Sequence, residues 1–187
     1  MRFAYADPPY PGQAKRWYGN HPDYAGEVDH AELVTRLELQ YPDGWALSTS
    51  ATALQRVLAL CPESVTIAVW HNTNAEPPGN RPNRWWHCWE PVIVRGGRPG
   101  PVRSLLACGQ AGNVGRFPGG KPEAFCRWMF ALLGALPGDE LDDLFPGSGA
   151  VGRAWRIYAD QPWLEPIGPR ADRRPLAARA ASMMDEL

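Results

Sequence analysis

The chain has 187 residues, 44% of them hydrophobic, and its 19 basic and 20 acidic side chains leave a net charge of −1. That length and apolar content suit one globular domain with a full core, and the balanced charge speaks against a uniformly basic nucleic-acid binder. No apolar run approaches the roughly 20 residues that a membrane-spanning helix needs, and the first residues enter a strand pattern without a signal-peptide signature, so a cytoplasmic protein without a membrane partner is expected.

Arg2 to Ala6 is short and aromatic, which predicts a buried strand running into Asp7-Pro8-Pro9-Tyr10. Two consecutive prolines fix φ and remove two backbone donors, leaving the Asp7 and Pro8 carbonyls as free acceptors at a strand's carboxyl end. A carboxylate beside a carbonyl can accept both hydrogens of an exocyclic amino group, and Tyr10 offers a flat face for a base. Alone, four residues are weak evidence, because a proline-rich turn after a strand is common.

Residues 11 to 28 are polar, aromatic and turn-rich, a loop beside that turn. Its Lys15, Arg16, Trp17 and Tyr18 are candidates for nucleic-acid contact. Asp29 predicts an N-cap for a helix through Gln40, with Leu33, Val34 and Leu37 on its apolar side. A strand is expected at Trp45 to Leu47, a helix at Ala51 to Leu60 behind Ser48-Thr49-Ser50, and a strand at Val65 to Trp70. An irregular loop follows to Arg84, and Cys88 to Val94 returns as a strand whose Pro91 suggests a sheet edge.

Between Pro77 and Pro122 seven cations, Arg81, Arg84, Arg95, Arg98, Arg103, Arg116 and Lys121, face Glu90 alone. Trp85, Trp86 and Trp89 are interleaved, as a surface that contacts phosphates and stacks bases requires. Arg81, Arg84, Trp85 and Arg95 are the candidates there. A solvated arginine-rich loop is the alternative. Cys61, Cys88, Cys108 and Cys126 show neither metal nor disulfide spacing, so they are expected to be reduced and mostly buried, with no metal.

Pro99 to Gly120 carries no regular pattern. Lys121-Pro122 then opens a helix expected over Glu123 to Leu136, and a short apolar strand ends at Phe145. Pro146-Gly147-Ser148-Gly149 breaks that strand before a helical run from Ala150 to Tyr158. Glycines there let backbone approach a ligand, and the helix amino end favours polar or anionic groups.

These stretches together carry a resemblance. The chain looks like an S-adenosylmethionine-dependent DNA adenine methyltransferase of the permuted, so-called β order and the compact phage and bacterial type. In that group D-P-P-Y precedes F-x-G-x-G, with a Lys-Pro pair opening a helix shortly before the cofactor strand. The resemblance implies a Rossmann-like three-layer α/β sandwich, with a mostly parallel twisted sheet, an antiparallel edge strand and circularly permuted motifs. It also implies methyl transfer to the exocyclic amino group of adenine in DNA.

Asp7, Pro8, Pro9 and Tyr10 would then be catalytic. Ala6, Asp7, Lys121, Pro122, Asp143, Phe145, Pro146, Gly147, Ser148 and Gly149 would bind S-adenosylmethionine. Asp160 and Glu165 are the acidic residues on offer to the cofactor ribose. Residues 1–168 are expected to form one catalytic domain, with 77–120 as a basic, aromatic loop region in place of a recognition domain and 169–187 as a tail. So compact a domain leaves room for a homodimer. The same chemistry on RNA, a free nucleotide or cytosine, and an inactive relative that binds nucleic acid or a partner, are the alternative readings.

Overall fold

A computed structural model describes residues 1–12, 14–15, 19, 26–76, 86–110 and 120–160. Six strands, β1 (Arg2–Ala6), β2 (Gly44–Ser48), β3 (Thr66–Asn72), β4 (Trp89–Gly96), β5 (Leu105–Cys108) and β6 (Glu140–Asp143), form one sheet in the order β5-β3-β4-β2-β1-β6. Four helices bounded within the described residues accompany it: α1 (His30–Gln40), α2 (Leu54–Leu58), α3 (Glu123–Leu132) and α4 (Ala150–Ala159).

Side-chain alternation along the strands divides the core into two. Phe3 and Tyr5 of β1, Ala46 of β2, and Val92 and Val94 of β4 pack with Phe125, Met129 and Phe130 of α3 and Val151 of α4. The intervening residues Ala4, Ala6, Trp45, Leu47 and Ile93 pack on the other face with Leu33, Val34 and Leu37 of α1 and Val57 of α2. Helices cover both faces, giving the expected three layers.

β1 pairs in parallel with β2 and β6, and β3 with β5, while β4 runs antiparallel to both β2 and β3. The antiparallel strand is therefore internal and not at the edge that Pro91 suggested. Val92 and Ile93 are fully buried, as a strand covered on both faces requires. Pro91 is tolerated because it lies beyond the last β2 pair, Ser48↔Val92, where its carbonyl accepts from the Thr49 N–H at 3.1 Å.

α1 is capped as expected, with Asp29 Oδ1 accepting from the amides of Ala31 and Glu32. α2 is shorter than Ala51 to Leu60, because residues 51–53 form a turn before it. α3 stops at Leu132, short of Leu136. Gly134 turns left-handed there at φ +59, and a Cβ on it would lie 2.6 Å from that of Arg98. β5 lies inside the stretch expected to be irregular. It is a four-residue strand pairing Val69↔Leu105 at the rim of the sheet. The cysteines are free, but only Cys126 is buried and the other three are half-buried. Among the described residues, no helix is long and apolar enough to cross a membrane.

Candidate active site

β1 and β6 run side by side in the same direction, with Tyr5 opposite Asp143 and the Leu144 N–H donating to the Tyr5 carbonyl at 2.9 Å. The Asp7-Pro8-Pro9-Tyr10 turn and the Asp143–Gly149 turn thus leave the sheet at neighbouring carboxyl ends, the edge at which open α/β sheets hold ligands.

Lys121, which immediately precedes the Pro122 cap of α3, joins the first of these turns to β4. Its side chain is 6% exposed, and Nζ lies 3.2 Å from Asp7 Oδ2 and 2.8 Å from Glu90 Oε2. The ammonium also sits 5.3 Å from the ring centroids of Trp70 and Phe125, so aromatic faces stabilise it. The Tyr10 phenol donates to the same Glu90 oxygen at 2.8 Å. Two carboxylates, one ammonium and one phenol therefore form a single cluster.

Burial raises the Asp7 pKa above the ordinary carboxylate value, and Glu90 adds to this while Lys121 opposes it. Burial likewise pushes the Tyr10 phenol well up, so it is a donor at neutral pH. For Lys121 burial favours the neutral amine, but Asp7 and Glu90 outweigh it and hold the ammonium well above the lysine range. Tyr5 lies beneath the turn with its hydroxyl 2.9 Å from Ser48 Oγ.

On the β6 side, both carboxylate oxygens of Asp143 are buried without a hydrogen-bond partner among the described residues. Burial lifts the Asp143 pKa to about 6, with the Phe145 backbone favouring the ion and the Asp7 charge disfavouring it. A buried carboxylate without a partner is costly unless a ligand supplies a donor. The turn that follows depends on Gly149, which caps α4 at φ +72, a left-handed conformation open to glycine and strained for other residues. A Cβ placed on Gly120 would lie 3.6 Å from Ser148 Oγ, so the Lys121-Pro122 segment and the glycine turn are adjacent.

Ala6 is fully buried in the core at the end of β1. Arg95 is not brought to this site. It sits towards the far end of β4, opposite Trp45, and binds Glu38 at 3.1 Å and the Pro42 carbonyl at 3.1 Å. Arg98 is likewise engaged with Asp139 and the Gly134 carbonyl. Lys15 is exposed, and with Ala14 it is helical where a loop was expected, its carbonyl accepting from the Gly19 N–H at 3.0 Å. Arg16, Trp17, Tyr18, Arg81, Arg84, Trp85, Arg116 and Glu165 lie outside the described residues, as does the tail. Asp160 ends α4 at the helix terminus remote from the glycine turn. In the sequence Glu90 stands out only as the lone acid of a basic segment. Its signal was an acidic residue heading an otherwise apolar strand.

No protein-family model and no curated protein matches the chain. Solved structures share its architecture, two of M1.HpyAVI among them. The crystal structure of the M1.HpyAVI–SAM complex matches with a TM-score of 0.57 at 16% identity, over 85% of this chain and 78% of that one. A crystal structure of M1.HpyAVI matches with a TM-score of 0.56 at 18% identity, over 84% and 76%. The fold is that of a Rossmann-like methyltransferase. In this methyltransferase fold, Asp7, Lys121 and Glu90 lie at the carboxyl end of β1, and Asp143 closes the neighbouring strand.

Proposed function

We propose that the chain transfers a methyl group from S-adenosylmethionine to the exocyclic amino group of adenine in DNA. The observation that carries this reading is the convergence of the Asp7–Tyr10 turn and the Asp143–Gly149 turn at adjacent strand ends, with Lys121 bound to Asp7 of the first and its neighbour Gly120 beside Ser148 of the second. The likeness to the M1.HpyAVI–SAM complex supports the cofactor. The same reading takes residues 1–168 as one catalytic domain working in the cytoplasm.

The residues fit the cofactor. Asp143 offers two buried acceptor oxygens that lack donors among the described residues, as an α-ammonium group requires, and Gly147 and Gly149 carry no side chain in the turn. Phe145, Pro146 and Ser148 complete the turn, while Lys121 and Pro122 lie beside it. S-adenosylmethionine would supply an activated methyl group on a positively charged sulfur; as the N–C bond forms the S–C bond would break, S-adenosylhomocysteine would leave, and one amino proton would pass to water.

The protein's own part is positioning. Asp7 and the Pro8 carbonyl accept the two hydrogens of the amino group, turning its lone pair out of the ring's π system and towards the methyl donor. Tyr10, its phenol tied to Glu90, presents its ring to the base. Holding the reactants in line in this way accounts for most of the acceleration, since neither metal nor covalent nucleophile is required. Flipping adenine from a duplex costs a few kcal/mol, which stacking at about 1 to 3 kcal/mol per base offsets. Lys15, Arg16, Trp17, Tyr18, Arg81, Arg84 and Trp85 are the proposed nucleic-acid contacts.

The test is nucleoside mass spectrometry after incubation of DNA and of RNA with isotopically labelled cofactor. Label in N6-methyladenine from DNA is expected. Label confined to RNA or to cytosine would replace the substrate, and none at all would remove the reading.

A further inference from the structure

Glu90 belongs to neither motif, yet it touches both Tyr10 and Lys121. Its Oε2 accepts from the Tyr10 phenol at 2.8 Å and from Lys121 Nζ at 2.8 Å, while the same ammonium lies 3.2 Å from Asp7 Oδ2. Three separate parts of the chain supply the cluster: the turn after β1, the start of β4 and the segment leading into α3. Lys121 is confined by its burial and by the rings of Trp70 and Phe125, so one ammonium has to serve two carboxylates. Without Glu90 that ammonium would belong wholly to Asp7 and fill the acceptor that an incoming amine needs. The Tyr10 phenol would also lose its anchor.

We propose that Glu90 is a positioning residue of the transfer site, which draws Lys121 off Asp7 and fixes the Tyr10 ring, so that Asp7 keeps an oxygen free to accept from the substrate amine. The inference rests on the function proposed above, and it deepens that reading by assigning the residue that keeps Asp7 available.

The charged and titratable groups facing Asp7 are Lys121 ahead of α3, Glu90 on β4, Tyr10 in the same turn, Tyr5 on β1 and Asp143 on β6. Burial raises the Asp7 pKa, Lys121 lowers it and Glu90 raises it. Glu90→Gln removes a raising influence and releases Lys121 towards Asp7. Both changes move Asp7 titration to lower pH.

The experiment follows the Asp7 and Glu90 carboxyl carbons by 13C NMR across pH in wild-type protein and in Glu90→Gln. Initial rates and cofactor affinity are measured on the same samples. The Asp7 midpoint is expected to fall by about one unit in Glu90→Gln, the scale on which a neighbouring charge acts. The acidic limb of kcat/KM should follow it, and kcat should drop about tenfold with cofactor Kd within about twofold. Glu90→Asp, which keeps the charge, should return the midpoint towards wild type.

Should Glu90→Gln fail to fold, the wild-type curves decide, because coupled carboxyls each show the other's titration as a second step. Independent single-step curves, or an Asp7 midpoint unmoved in folded Glu90→Gln, overturn the inference even in an active enzyme. Coupled curves in a protein that methylates neither DNA nor RNA overturn the functional reading and with it the role of Glu90 in transfer.

Discussion

Lys121 reaches Asp7 across the sheet's carboxyl end, with 3.2 Å between the ammonium and a carboxylate that stands only a quarter exposed. Lys121→Met would leave Asp7 and Glu90 facing each other without their shared cation. Breaking such a pair is expected to cost about 3 kcal/mol near neutral pH. The loss should shrink in acid, because removing Lys121 raises the Asp7 pKa further and protonation relieves the repulsion. Urea unfolding at about pH 5 and about pH 8 checks this sign. An equal loss at both would mean that the cluster carries little charge coupling.

Asp143 gives a second pH effect of the same sign. Its folded pKa of about 6 exceeds the ordinary 3.8, so between those values the folded state binds more protons than the unfolded one. Stability should therefore decline as pH rises through that window, by about 3 kcal/mol in total, and then level off. Asp143→Asn should remove this part of the slope, as denaturant midpoints over the same range will show. Cofactor affinity should run the other way, strengthening as pH rises through about 6, because only the ionised carboxylate attracts an ammonium. Calorimetry below and above that pH, on wild type and Asp143→Asn, separates the two effects.

Gly149 tests the cofactor turn through its backbone. A side chain at φ +72 is strained by about 1 kcal/mol, and a Cβ there would also lie 3.0 Å from the Arg153 guanidinium. Gly149→Ala is expected to lower Tm by a few degrees and to weaken cofactor binding while the sheet persists. Thermal melts with and without cofactor measure both, and unchanged affinity would detach this turn from the cofactor.

Much of this arrangement was legible locally. Asp29 and the apolar spacing of Leu33, Val34 and Leu37 mark α1, and the aromatic run before Asp7 marks β1, because capping and burial patterns are written in adjacent residues. The place of β4 between β2 and β3 was not, since sheet order depends on which strands meet after folding and Pro91 is neutral once it lies beyond the β2 pairing. β5 was missed because four half-exposed residues carry too little periodicity. The two turns of the candidate site could be read from their prolines and glycines. The link from Lys121 to Asp7 and Glu90 could not, because it joins residues from three distant segments through side chains alone.

The basic segment supplies a prediction independent of the cofactor. Arg81→Ala with Arg84→Ala should weaken nucleic-acid binding and reduce the slope of log K against log salt by nearly two, at about 0.9 per phosphate contact on duplex DNA. Cofactor affinity should not change. Fluorescence anisotropy over a salt series reads the slope, and an unaltered slope would return the segment to a solvated loop.

The most direct measurement is the rate of methyl transfer by Asp7→Ala. Asp7 follows a buried strand and precedes two prolines, so the backbone holds it in place, and neither the position of Asp143 at the end of β6 nor the Gly149 turn is built on its side chain. Truncation leaves the target amine with one acceptor where it had two, and its lone pair stays delocalised into the ring. Loss of a comparable preorganised hydrogen-bond partner lowers rates by about 100- to 1,000-fold. The expected result is a folded protein that still binds cofactor and, at saturating cofactor, transfers methyl groups at least about 100-fold more slowly. A folded Asp7→Ala protein that methylates DNA at the parental rate would contradict the assignment of this turn to catalysis.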